Sequence, residues 1–140
     1  MVCIYCGSKT EVTNSRLQKR LNQTWRRRAC SNCNTVFTTL EHPDLAASIV
    51  VRKPDKTEPF CRDKLFISLV ASLGHRSGAV VEAGALAGTI INQLLRTRPG
   101  ALIEVRDIAL ETYAVLERYD AAAATHYSAY HSGVLDKSRL

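Results

Sequence analysis

At 140 residues, with 46% apolar and 23% charged residues, the chain suits one domain or two small ones of ordinary globular composition. No apolar run reaches the ~20 residues that span a bilayer, and no charged-then-apolar leader opens the chain, so it reads as a soluble, cytoplasmic protein with no membrane partner. The net charge of +6 is concentrated at the front: residues 1–47 hold seven Lys/Arg against three Asp/Glu, which points to an anionic partner, nucleic acid first.

In chain order, the polar and basic first third reads as short strands over residues 11–15, 23–28 and 35–40, where β-branched and aromatic residues lie between turn formers. Residues 41–44 read as a linker, because Pro43 has no N–H to give to a sheet and biases His42 toward extended geometry. Residues 48–52 alternate as a strand, 53–56 form a turn, and 57–60 return as an edge strand limited by Pro59. The period then changes. Leu65, Phe66, Leu69, Val70 and Leu73 mark one helix face, and Gly74 is placed to end that helix. Val80, Ala83, Leu86, Ala87, Ile90, Ile91, Leu94 and Leu95 mark a second helix, which Pro99-Gly100 terminates. A third helix is expected over 105–117, and a fourth, capped by Asp120, runs to about His131. The expected fold is α+β: a small β module at 1–44, a mostly helical domain with a β-hairpin at 48–133, and a tail at 134–140.

Four of the five cysteines form two C-x-x-C pairs, Cys3/Cys6 and Cys30/Cys33. Each pair on a tight turn presents two thiolates to one ion, and four thiolates close a tetrahedral shell around one zinc per chain. Such a closed site is structural. A module of about 40 residues cannot bury enough apolar surface to fold unaided, so the metal supplies the staple. Gly7 suits the sharp turn of a zinc knuckle. A redox dithiol is disfavoured by the doubled motif and the lack of a βαβ context. Cys61 reads as a small, half-buried thiol.

Trp25-Arg26-Arg27-Arg28 precedes the second cysteine pair. Strand alternation sends Arg26 and Arg28 to one face and Arg27 to the other. With Arg16, Lys19 and Arg20 from the intervening segment, these guanidinium groups suit phosphates and guanine edges. Trp25 is expected in the small core of this module. The second domain shows Arg52, Lys53, Glu58 and Lys64 around its hairpin and no phosphate loop. It also lacks a set of acid, base and nucleophile, so no enzyme is expected. The residues by themselves leave it as a helical module with an anion site.

Taken in order, Cys3-x-x-Cys6-Gly7, Asn14-Ser15-Arg16, Arg26-Arg27-Arg28-x-Cys30-x-x-Cys33 and Phe37-Thr38-Thr39-x-Glu41 resemble the NrdR family, bacterial transcriptional repressors of ribonucleotide reductase genes. Val50-Val51-Arg52-Lys53, Glu58-Pro59-Phe60 and Lys64-Leu65 resemble the ATP-cone that follows the zinc ribbon in that family, and Tyr127-Ser128-Ala129-Tyr130 resembles its end. The resemblance implies a homo-oligomeric repressor that binds a double-stranded DNA operator under the control of ATP or dATP. Carried over by position, Arg16, Arg26, Arg27 and Arg28 contact DNA. Arg52, Lys53 and Lys64 contact phosphates, and Val51, Glu58 and Tyr130 line the nucleotide pocket. The sequence departs from the family pattern at Pro54, Thr57, Ala124 and His131. The alternative is an interaction module in which the ribbon docks on RNA or RNA polymerase and the helical domain only dimerises, without nucleotide sensing.

Overall fold

The structure, a computed structural model, describes residues 1–135. It divides into two compact units, Met1–Asp44 and Leu45–Leu140.

In the first unit, strands β1 (Thr10–Gln18), β2 (Gln23–Cys30) and β3 (Val36–Glu41) form an antiparallel sheet in that order. A 3-10 turn at Lys19–Leu21 and Asn22 in the left-handed region reverse the chain between β1 and β2. Thr13 is a β-bulge: Val12 faces Arg28 and Asn14 faces Arg27, so one extra residue resets which side chains share a face. The buried cluster is very small, Cys3, Cys30 and Phe37 with Cys33 packed against it. Trp25, expected in that core, is half-buried outside it.

In the second unit, a one-turn helix α1 (Leu45–Ser48) leads into β4 (Val50–Arg52) and its return strand β5 (Thr57–Pro59). The turn closes through Lys53 N–H to the Lys56 carbonyl at 2.8 Å. Helices α2 (Arg62–Ser72) and α3 (Ala79–Thr97) follow. The chain then adds β6 (Leu102–Glu104), which pairs in parallel with β4 and makes it the centre of a three-stranded sheet. The sequence reading had only a hairpin here. Gly100, at φ 122°, makes the turn that feeds this strand. Helices α4 (Val105–Tyr119) and α5 (Ala121–Tyr130) complete the layer, with a final turn α6 (Ser132–Leu135). Leu135 packs on the core, so residues 134–135 extend the folded unit into the expected tail, and residues 136–140 lie outside the described residues.

The helical periodicity holds in the packing. Leu65, Leu69 and Leu73 of the first expected face, and Ala83 through Leu94 of the second, enter one core with Val51, Ile103, Leu116 and Tyr127. Val80 does not; it is 62% exposed in the first turn of α3. Asp120 caps α5 as expected, accepting from Ala123 N–H at 3.0 Å. The same carboxylate accepts from His75 and Arg76, and Arg76 also pairs with Glu82. The α2–α3 loop is thereby tied to the α4–α5 junction. The Ala123 N–H, His75 and Arg76 hold Asp120 well below the usual carboxylate range, and Arg76 lowers Glu82.

Two measurements follow. The single tryptophan lies in the first unit and all the α-helices in the second, so fluorescence and helical circular dichroism report the units separately. Replacing Leu116, fully buried, with Ala should destabilise the helical unit by about 2–5 kcal/mol and leave the Trp25 signal unchanged. Depressed carboxylates stabilise above their unfolded-state pKa, about 4, and that contribution disappears as pH falls through the lower folded values. The urea midpoint of the helical signal should therefore be flat down to about pH 5 and fall below it. Asp120→Asn should remove part of that acid slope.

Candidate zinc centre, basic sheet face and cavity

The two cysteine pairs are built alike. Cys3 N–H donates to the Ser8 carbonyl at 2.7 Å and Gly7 N–H to the Cys3 carbonyl at 3.0 Å. In the second knuckle Cys30 N–H donates to the Thr35 carbonyl and Asn34 N–H to the Cys30 carbonyl, both at 3.0 Å. Gly7 (φ 74°) and Asn34 (φ 56°) follow the second cysteine of each pair and share the left-handed conformation. Gly7 was legible in the sequence. Asn34 is its counterpart, legible only once the two pairs are compared residue by residue.

These knuckles bring all four Sγ atoms within 4.8 Å of one another, with Cys3 to Cys33 at 3.6 Å and Cys6 to Cys30 at 3.5 Å. Zn–S bonds of about 2.3 Å in a tetrahedron put sulfurs about 3.8 Å apart, so the donor set fits one zinc ion. Polar groups surround the sulfurs: Tyr5 N–H reaches Cys3 Sγ at 3.4 Å and Thr35 Oγ1 lies 2.8 Å from Cys33 Sγ. Such contacts orient the ligands and spread thiolate charge. Without metal the thiols differ. Hydrogen bonds from Ser8 lower Cys6 to about 6. At Cys30 the Cys33 and Asn32 N–H groups pull downward, but burial and the neighbouring thiols outweigh them and raise it to about 11.

The sheet above this centre has two chemically different faces. Directly opposed residues share a face. One face carries the rows Asn14–Arg27–Thr38 and Arg16–Trp25–Leu40. The other carries Ser15–Arg26–Thr39 and Val12–Arg28–Phe37. The expected split of the arginines is seen, and their surroundings separate them further. Arg26 pairs with Glu41 at 3.0 Å, and Arg28 Nε donates to Thr39 Oγ1 at 3.2 Å. Arg27 is exposed, and its side chain has no hydrogen bond or ion pair among the described residues.

In the second unit a cavity of about 210 Å³ lies between the hairpin, α2, α4 and the end of α5. Its floor is apolar, including Phe60, Leu65, Val105 and Ile108, and Lys53, Glu58 and Lys64 line it from the hairpin and the start of α2. Glu58 Oε1 lies 2.9 Å from both Lys53 Nζ and Lys64 Nζ. The Lys53 and Lys64 ammonium groups lower Glu58 to about 2, and Glu58 raises Lys64. Cys61, expected half-buried, is exposed at the N-cap of α2, where no side chain caps the helix.

Of the residues expected around a nucleotide, Val51, Lys53, Glu58 and Lys64 line this cavity and Arg52 and Tyr130 do not. Alternation along β4 turns Arg52 away from Val51 and Lys53, to an ion pair with Glu104 at 3.1 Å. Tyr130 is 78% exposed. Tyr127, one helical turn earlier, is the tyrosine on the cavity wall, with His131 stacked on its ring at 4.2 Å. His131 is held by Ser68 Oγ at 3.0 Å, and burial lowers its pKa. The sequence reading missed Tyr127 and His131 as cavity residues; their i, i+4 spacing was the available signal.

Residues 1–41 match the family model described as the N-terminal domain of NrdR-like transcriptional repressors. Over its full length the chain is 30% identical to proteins named transcriptional repressor NrdR from Staphylococcus aureus strains JH9, Newman and JH1, covering 90% of each. Those names describe regulators, not enzymes. No helix among the described residues is long and apolar enough to cross a membrane.

The metal-free thiols set a measurable expectation. Zinc uptake at pH 7 should release protons, since Cys30 holds its proton at that pH and the bound ligand is a thiolate. Chelation should change Trp25 fluorescence and leave the helical signal intact. Cys30→Ser should contain markedly less than one zinc per chain.

Proposed function

Since the chain belongs to the NrdR family of transcriptional repressors, we propose that it represses ribonucleotide reductase genes by binding operator DNA through its zinc-stapled sheet, and that ATP or dATP in the cavity of the second unit controls this binding through the oligomeric state. The observation that carries the reading is the placement of positive charge. Each unit gathers cationic side chains around a recognition surface of a different shape.

For DNA, the face with Asn14, Arg16, Trp25, Arg27 and Thr38 is the better candidate. Arg27 and Arg16 are exposed there beside an amide and a hydroxyl, the groups that read base edges and hold phosphates. Arg26 and Arg28 serve the opposite face, where Glu41 and Thr39 engage them and Phe37 and Cys30 tie it to the zinc centre.

For the nucleotide, Lys53 and Lys64 stand beside the uncapped N-terminus of α2, whose free N–H groups favour anions. The apolar floor and the Tyr127 ring suit a base. Lys53, Lys64, Val51 and Glu58 therefore form the proposed site, with Tyr127 and His131 on its far wall. Arg52 and Tyr130 are left for roles outside it. The rival reading, a ribbon that docks on RNA or RNA polymerase beside a purely dimerising helical unit, gives no use for paired lysines over an apolar cavity.

Arg27→Ala should weaken operator binding ten- to hundredfold, the equivalent of about 1–3 kcal/mol. Arg26→Ala should cost much less, and zinc content should be unchanged in both. Equal losses would reject the assignment of faces. Mass and operator affinity should both differ among the free, ATP and dATP states. DNA should shift nucleotide affinity by the same factor as the nucleotide shifts DNA affinity. Absence of nucleotide binding by calorimetry would remove the regulatory half of the proposal.

A further inference from the structure

Resting on the cavity being the nucleotide site, we propose that Glu58 is a built-in counter-anion of that site: in the empty protein it occupies both lysine ammonium groups, and a polyphosphate binds by exchanging with it.

The geometry is specific. A single oxygen, Glu58 Oε1, lies 2.9 Å from Lys53 Nζ and 2.9 Å from Lys64 Nζ. Lys53 follows β4, Glu58 lies in β5 opposite Val51, and Lys64 is in the first turn of α2, so the carboxylate bridges three successive elements at the edge of the cavity. The Glu58 side chain is only 22% exposed and Lys53 29%, so this pair is less screened than the open surface, whereas Lys64 is 64% exposed. A phosphate oxygen that accepts from Lys53 and Lys64 needs the same donor protons and the same space as Glu58 Oε1. Direct contact of ligand and Glu58 with one shared pair of ammonium groups would place two anions against each other. Exchange resolves this. The phosphate takes the lysines and the Glu58 carboxylate turns outward to water.

The exchange has two effects. It weakens binding, because each incoming anion must first displace an ion pair. It also selects for charge: a triphosphate recovers more interaction than a monophosphate after the same displacement. The site thus rejects weakly charged anions through its own carboxylate.

The test uses the full-length, zinc-loaded protein and two probes, inorganic tripolyphosphate and ATP, titrated calorimetrically without divalent cations. Glu58→Gln keeps the shape and removes the competing charge. It should bind both probes at least about fivefold more tightly than wild type, the scale of one unit charge about 4 Å away even at the dielectric of water. It should also narrow the preference for ATP over AMP. Helical circular dichroism verifies folding, and Glu58→Asp, which retains the charge, should stay near wild type in its ATP-to-AMP preference. Weaker binding of both probes by Glu58→Gln would overturn the proposal, since Glu58 would then be a direct contact to the ligand, while the cavity would stand as the nucleotide site. Unchanged affinity would overturn it equally. Lack of ATP binding by wild type and variant alike would overturn the nucleotide site itself and the exchange with it.

Discussion

Four sulfurs around one ion are the constraint on which the first unit depends. Its sheet buries Cys3, Cys30 and Phe37 and little else. Burial of that extent falls far short of the conformational entropy of ordering some forty residues. The cysteines are at once most of the buried cluster and the four donors positioned to bind one zinc, so metal binding and folding of this unit are expected to be coupled. The exposed side chains of the sheet, Arg27 among them, stand on strands that run into this cysteine cluster. The second unit follows the opposite regime. Leu69, Leu73, Ala87, Ile90 and Leu116 are fully buried in a continuous core.

How far each part was legible in the sequence follows from the range of the interaction involved. The zinc donors are read from spacing alone, because a C-x-x-C turn is local and doubling it leaves few alternatives. The helices are read from periodicity, and Leu65, Leu69 and Leu73 enter the core as that periodicity requires. Strand β6, Leu102–Glu104, was missed because nothing adjacent in sequence pairs with it, whereas the equally short β4 and β5 are joined by one turn. What makes it a strand is parallel pairing with β4, where Leu102 lies opposite Val50. Val80 was misplaced for a related reason: it has the right phase but lies at the end of α3, where the face no longer meets a neighbour.

The candidate sites were legible in composition and less so in direction. The sequence named Arg26, Arg27 and Arg28 together. Only the register, with the Thr13 bulge, shows which residues of β1 stand beside Arg27. The β4 strand taught the same lesson. Arg52 and Lys53 are neighbours in sequence and point to opposite sides, so one meets Glu104 and the other the cavity. At the end of α5 the choice between Tyr127 and Tyr130 was a matter of helical phase, and three residues of rotation separate a wall of the cavity from an exposed ring.

Both units carry clustered positive charge, and they accommodate it differently. The solutions differ because the surfaces differ. On the sheet, the cations that lack a counter-charge are solvated: Arg27 is exposed, and water stabilises a lone guanidinium at little cost. Its neighbours Arg26 and Arg28, half-buried, are given Glu41 and Thr39. At the cavity, solvation is poorer and an unpaired ammonium costs more, so Lys53 must have a partner, and Glu58 supplies it. A surface that meets a polyanion through open water can leave its charge uncovered. The partly buried Lys53 carries its own anion, and on the exchange proposed above that anion would set how highly charged a ligand must be to displace it.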